Sequence, residues 1–332
     1  MKKMISTLLA AALCLSMSTV AFAEEPETYQ DMDTVTITKD YNATNTGTTS
    51  PAETFKFTIE RTGVTDAADG VTAENMPIPT IGSVAYGAGD AGSANKSKDI
   101  TVNLPKYTSV GIYTYTIKET AGATAGVTYY GKDITLKVTV IQDTEGKVRV
   151  AAVHTEGENE AKSDHFSNEY SAGSLTVAKK VTGIMGDQSK DFTVTVEFTA
   201  PEGTTVKEAI SYTDGTEHKT VAVSDWKNGK ATAEITLRHN EAVNFTNIPY
   251  GVTYTVTESD YTSDGYDAAA YEFGDGNKKI DSAEDTVTIT NNKGTTVDTG
   301  VFLDSLPYIM LLAIVGVGAI LFVSRKRRAF ED

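Results

Sequence analysis

Two matched sets of polar residues carry the chemistry that this sequence offers: Lys39, Glu119 and Asn168 in the first half, and Lys179, Glu258 and Asn291 in the second. In each set a Lys ends the first apolar strand, a Glu ends a strand in the later half, and an Asn ends the last strand. One such residue at a strand end is ordinary surface chemistry. Two triplets of the same types in the same order are hard to assign to coincidence. If first and last strands are neighbours in an apolar core, a buried Lys loses its hydration, and its amine becomes neutral and nucleophilic. A carboxyl group in the same surroundings keeps its proton and can donate a hydrogen bond that polarises the Asn amide carbonyl. Attack by the amine then expels ammonia and leaves an intramolecular Lys-Asn isopeptide bond, with one turnover per domain, no cofactor and no external substrate. Such a bond ties first strand to last, so tension at the domain ends passes through covalent bonds.

The elements that must position these residues are strands. Apolar and polar residues alternate with period two in Val35-Thr-Ile-Thr, Phe55-Lys-Phe-Thr-Ile, Tyr113-Thr-Tyr-Thr-Ile, Ile134-Thr-Leu-Lys-Val-Thr-Val, Phe192-Thr-Val-Thr-Val, Ala233-Glu-Ile-Thr-Leu, Tyr254-Thr-Val and Val287-Thr-Ile. Val, Ile, Thr and aromatics at that spacing read as half-buried strands. The pattern also repeats. Val35-Thr-Ile-Thr-Lys39 matches Leu175-Thr-Val-Ala-Lys179, Phe55-Lys-Phe-Thr-Ile-Glu60 matches Phe192-Thr-Val-Thr-Val-Glu197, and Tyr113 to Glu119 matches Val252 to Glu258. The sequence therefore predicts an all-β chain of two tandem Ig-like β-sandwich domains, 24–171 and 172–293, joined by a short Ser171-Ala-Gly-Ser174 linker. Period two sets Leu175, Val177 and Lys179 on one face, so Lys179 points inward and its neighbour Lys180 outward. Phe245-Thr-Asn247 imitates the terminal Asn motif but precedes the Glu-bearing strand, and reads as an ordinary turn.

The two ends carry targeting patterns. Residues 1–23 open with Lys2-Lys3, run apolar from Ile5 to Val20 and close on Ala21-Phe22-Ala23. This order predicts a secretory signal peptide cut between Ala23 and Glu24, which removes the chain's one cysteine, Cys14. In 294–332, Thr299-Gly300 precedes the apolar run 306–323 and the basic Arg325-Lys326-Arg327-Arg328. By itself that run is long enough for a membrane helix with positive-inside flanking charge.

Composition excludes several function classes. The 332 residues hold 29 basic and 45 acidic side chains, a net charge of -16. Without residues 1–23 and 300–332, 23 basic and 42 acidic residues remain, a net of -19. A surface this acidic repels phosphate backbones, so no nucleic-acid partner is expected. A cysteine-free mature span has no disulfide, and four scattered His give no metal-ligand spacing, so no metal is expected. Gly87-Ala-Gly-Asp-Ala-Gly92 matches a dinucleotide-binding pattern, but a polar stretch follows where a helix is required, and it reads as a flexible loop. The Asp-rich turns 263–267 and 274–277 lack the spaced carboxylates of a calcium loop.

At the triplets the sequence resembles the major (backbone) pilins of Gram-positive bacteria, built from two isopeptide-forming Cna B-like domains. The resemblance is strongest in Leu175-Thr-Val-Ala-Lys-Lys-Val-Thr-Gly183, in Tyr250-Gly-Val-Thr-Tyr-Thr-Val-Thr-Glu258 and in Thr288-Ile-Thr-Asn291. It implies that Lys39 and Lys179 are the attacking amines, Asn168 and Asn291 the acceptors, and Glu119 and Glu258 the catalytic acids. The C-terminal layout is similar to a sortase sorting signal, with Asp298 where the common signals carry Pro. That likeness implies a cut between Thr299 and Gly300 by a pilin-class sortase, transfer of the Thr299 acyl group to a lysine of another pilin subunit, and attachment to cell-wall peptidoglycan. Lys162, shortly before Asn168, occupies the neighbourhood of the family's linking lysine. The competing reading is a solvated loop lysine between acidic neighbours. The fimbrium so formed would support adhesion and colonisation, with a host surface ligand among its partners. The alternative is a monomeric wall-anchored adhesin that uses the same domains as a stalk.

Overall fold

The computed structural model describes residues 31–158, 162–274 and 276–294. The signal-peptide junction Ala23/Glu24, the Thr299-Gly300 pair and the apolar run 306–323 lie outside the described residues. Among the described residues no helix is long and apolar enough to cross a membrane.

The first domain holds ten strands: β1 (Thr34–Ala43), β2 (Glu53–Thr65), β3 (Thr80–Ile81), β4 (Val84–Tyr86), β5 (Ser97–Asn103), β6 (Gly111–Thr120), β7 (Val127–Thr128), β8 (Ile134–Gln142), β9 (Val148–Glu156) and β10 (His165–Tyr170). They form two five-stranded sheets, ordered β3-β5-β1-β10-β7 and β4-β2-β6-β8-β9. The second domain holds β11 (Ala172–Thr182), β12 (Phe192–Thr199), β13 (Ile210–Asp214), β14 (Glu217–Val221), β15 (Lys230–Leu237), β16 (Ala242–Pro249), β17 (Thr253–Glu258), β18 (Ala270–Phe273) and β19 (Glu284–Asn292). These form a six-stranded sheet, β14-β13-β16-β11-β19-β18, and a three-stranded one, β15-β12-β17. Every alternating segment named above lies in a strand. The alternation is what closes the two sandwiches: inward residues such as Ile134, Leu136 and Val138 of β8 are fully buried, and the residues between them face outward.

The first and last strands of each domain are adjacent and parallel. In the first domain β1 pairs with β10, and in the second β11 pairs with β19. Neither Lys ends its strand, contrary to the sequence reading: β1 runs four residues past Lys39 and β11 three past Lys179. Asn168 is likewise interior to β10. The parallel ladder extends each strand beyond the point where alternation alone would end it. The Gly87–Gly92 segment is also more ordered than a flexible loop. The Asp90 carboxylate accepts from Gly87 N at 2.8 Å and pairs with Lys98 Nζ at 2.9 Å.

The predicted four-residue linker is not a linker. Only Ser171 stands between β10 and β11, and Ala172 to Ser174 belong to β11. Gly173 is buried there, and a Cβ on it would come within 2.2 Å of the Ser282 carbonyl oxygen. Ser171 N donates to Gly126 O at 2.8 Å, and Ser171 O accepts from Tyr250 N at 2.9 Å. Around this hinge Thr205 N donates to Ala123 O at 2.8 Å, and Lys207 pairs with the buried Glu53 at 2.9 Å. Asn247, read as an ordinary turn residue, sits inside β16 at φ 63° and accepts from Thr49 N of the first domain at 2.9 Å. Its left-handed backbone, which Asn tolerates, turns the amide toward the other domain.

Candidate functional site

Each triplet is gathered across the sandwich. In the first domain Lys39 stands opposite Phe166 in the parallel ladder, and Asn168 pairs with Tyr41, two residues on. Residues two apart in a strand share a face, so Lys39, Tyr41, Phe166 and Asn168 all point into the core. Glu119 comes from the facing sheet, near the end of β6, where it pairs with Phe57 of β2. The second domain repeats this placement. Lys179 is opposite Ile289, Asn291 pairs with Val181, and Glu258 closes β17 opposite Val194 of β12.

The burial is close to complete. Lys39 and Asn168 are 0% exposed, Lys179 2% and Asn291 1%. Lys39 Nζ lies 3.1 Å from Glu119 Oε2 and donates to Phe166 O at 3.2 Å. Lys179 Nζ lies 3.2 Å from Glu258 Oε1 and contacts Asn291 Oδ1. Removing the ammonium from water disfavours its charged form and outweighs the attraction of Glu119, so the pKa of Lys39 falls to about 8. The same cause, opposed by Glu258, lowers that of Lys179. Lys180, one residue along, is exposed, as alternation requires.

Sequence reasoning missed the aromatic ring beside each amine, and the Tyr130 backbone at the first site. Lys39 Nζ sits 4.3 Å from the Phe55 ring centroid, and Lys179 Nζ 4.1 Å from that of Phe192. Each ring lies two residues before the ladder partner of the site Glu, and each covers the amine. The signal was present, because Phe55 and Phe192 occupy the same position in the internal repeat.

The glutamate does not face the amide in the expected way. In the first domain Asn168 Nδ2 donates to Glu119 Oε1, and the amide oxygen accepts instead from the backbone N–H of Tyr130 at 3.0 Å. One carboxyl therefore touches both the amine, through Oε2, and the amide nitrogen, through Oε1. A nucleophile, an electrophile and a proton carrier thus meet in an apolar site. Lys162 lies elsewhere: it is exposed, and its backbone forms a lone antiparallel bridge with Glu156. Among the described residues no group of three or more His, Cys, Asp or Glu could hold a metal ion.

Two sandwiches, each with a buried Lys-Glu-Asn set at its first and last strands, define a tandem β-sandwich protein by their architecture. Comparison with known proteins finds relatives over most of the chain. Residues 35–171 match the Spy0128-like isopeptide containing domain, and residues 173–295 match a domain of unknown function. The chain is 29% identical over 311 residues to a pilin of Streptococcus pyogenes serotype M1, covering 89% of this chain and 91% of that one. It is similar to the crystal structure of the major pilin from Streptococcus pyogenes, with a TM-score of 0.53 and 25% identity over 79% of this chain and 99% of that one. The T3.2 major pilin of the same species shares the fold, with a TM-score of 0.56 and 22% identity over 80% of this chain and 99% of that one. Its first half carries the Spy0128-like isopeptide containing domain, and most of its length is similar to the major pilins of Streptococcus pyogenes. That likeness, over nearly the full length of the pilin, supports a pilus subunit.

Proposed function

We propose that this pilus subunit stabilises itself by closing two intramolecular isopeptide bonds, Lys39 to Asn168 and Lys179 to Asn291. The observation that carries the proposal is the repeated burial of an amine against a carboxyl in both domains, with the Asn amide touching the carboxyl in the first and the amine in the second. In each step the neutral Lys Nζ attacks the Asn Cγ. The amine proton passes through the carboxyl of Glu119 or Glu258 to Nδ2, the Cγ–Nδ2 bond breaks, and ammonia leaves. Four side chains become two amides with no cofactor and no oxidant. Because the joined strands are parallel neighbours, a pull along the chain enters at Lys39 and leaves at Asn168, bypassing the strands between.

Export after cleavage at Ala23, a sortase cut between Thr299 and Gly300, and transfer of the Thr299 acyl group to Lys162 of the next subunit complete the proposal, with peptidoglycan as the final acceptor. Lys162 is exposed, which a linking amine must be. The test is the detergent-resistant ladder of surface polymers. Lys162→Ala is expected to abolish it while leaving both intramolecular bonds intact. A ladder that persists assigns the link to another lysine. A wild-type surface without a ladder favours the monomeric adhesin.

A further inference from the structure

We propose that the backbone N–H of Tyr130 is the oxyanion donor for bond closure in the first domain, and that the second domain closes without an equivalent. The inference rests on the isopeptide reading above and adds a catalytic group to it.

As the Lys39 nitrogen bonds to Asn168 Cγ, the C=O π electrons move onto Oδ1, which carries negative charge until Nδ2 departs as ammonia. Glu119 is an unsuitable stabiliser of that charge, because its Oε1 is occupied at the amide nitrogen and its Oε2 lies at Lys39 Nζ. The Tyr130 N–H, 3.0 Å from Oδ1, is aimed at the atom where charge develops.

The fold explains why this donor is free. The antiparallel ladder between β7 and β10 runs through the pairs Tyr170–Val127 and Glu169–Thr128 and ends there. The chain then leaves the sheet edge, so the N–H two residues later has no ladder carbonyl to meet and reaches the Asn168 side chain. Beside the donor, the Tyr130 ring packs edge-on against Phe166 at 5.2 Å between centroids. Phe166 is the ladder partner of Lys39. In the second domain the ladder of β18 on β19 continues to Thr290, next to Asn291. Among the described residues, the hydrogen-bond partner of Asn291 Oδ1 is Lys179 Nζ itself.

The experiment follows both ammonia losses over time after cell-free synthesis of the full mature chain, with digestion to separate the two crosslinked peptides. Tyr130→Pro removes the donor, whereas Tyr130→Ala removes the ring and keeps the N–H. The proline variant is expected to close its first bond about 100-fold more slowly, the alanine variant within a few-fold of wild type, and the second bond at an unchanged rate in both. A proline variant that closes the first bond at the wild-type rate overturns the proposal and leaves the isopeptide reading standing. A wild-type chain with no first-domain ammonia loss overturns both. If the proline variant does not fold, the hydrogen bond is read directly in Lys39→Ala, where the bond cannot form. A through-bond coupling between Tyr130 ¹⁵N and Asn168 ¹³Cγ is then expected, and its absence rejects the proposal.

Discussion

Asn168 stands one pleat beyond the residue that pairs with Lys39, and Asn291 stands one pleat beyond the residue that pairs with Lys179. The offset matters because a Lys side chain is too long to meet a residue directly opposite. Extended along the strand direction, it reaches the next inward position of a parallel neighbour. A parallel first and last strand, rather than an antiparallel pair, lets this geometry coincide with force transmission, since the chain enters and leaves the domain at opposite ends of the joined pair.

The two bonds are separable by mass. The soluble span 24–296 is expected to fall short of its sequence mass by two ammonia molecules. Glu119→Ala should restore one and Glu258→Ala the other, because each carboxyl touches the amine of its own domain only. A wild-type protein at full sequence mass would refute closure in both domains.

The aromatic lids should set the pH at which the bonds form. Phe55→Ala opens a cavity beside Lys39 and admits water to the amine, so the pKa of Lys39 rises from about 8 toward its ordinary value. Closure then needs a higher pH than in wild type. Truncating a buried Phe also costs about 3–5 kcal/mol of stability before the bond forms. The closed fraction against pH, measured for Phe55→Ala and for Phe192→Ala, should shift in one domain at a time.

A chain that cannot close its first bond should become more stable as the medium turns basic. In Asn168→Ala, Lys39 remains buried with a folded pKa near 8, below its unfolded value of 10.5. Between those values the unfolded state binds more protons, so stability rises with pH; below about 8 it is flat and carries a penalty of roughly 3 kcal/mol. Denaturant unfolding from pH 7 to 9.5 should show this rise for the variant. The wild type, with its amine converted to an amide, should lack it.

The contacts across the domain junction should limit local opening there. Glu53 is buried and receives both the Thr124 hydroxyl and Lys207. Glu53→Ala strands the hydroxyl and frees Lys207, so amide exchange at Ser171 and Thr205 should accelerate. Both ammonia losses should persist. Because Lys207 is about two-fifths exposed, its ion pair contributes at most about 1 kcal/mol.

Much of this protein was legible without coordinates, because alternation is a local property. The strands, the two-domain repeat, the inward Lys179 and the outward Lys180 follow from a period of two residues and the cost of exposing Val, Ile and Phe. The missing pieces were either short or distant. Strands of two to four residues such as β3, β4 and β7 are too brief to display a period. The Phe55 and Phe192 lids stood in the repeat but looked like ordinary core.

The sequence alone determined which residue types are available for a crosslink, how often they recur, and which face of a strand each occupies. The tertiary structure decided which atoms meet. Lys39 and Phe166 are 127 positions apart, and their register is fixed by the packing of two whole sheets rather than by any local preference. That register gives the Asn168 nitrogen to Glu119 and its oxygen to the Tyr130 N–H. It also reduces the junction between domains to Ser171. Side-chain alternation is encoded within a few residues, whereas the pairing of first strand with last is settled only when the core between them has formed.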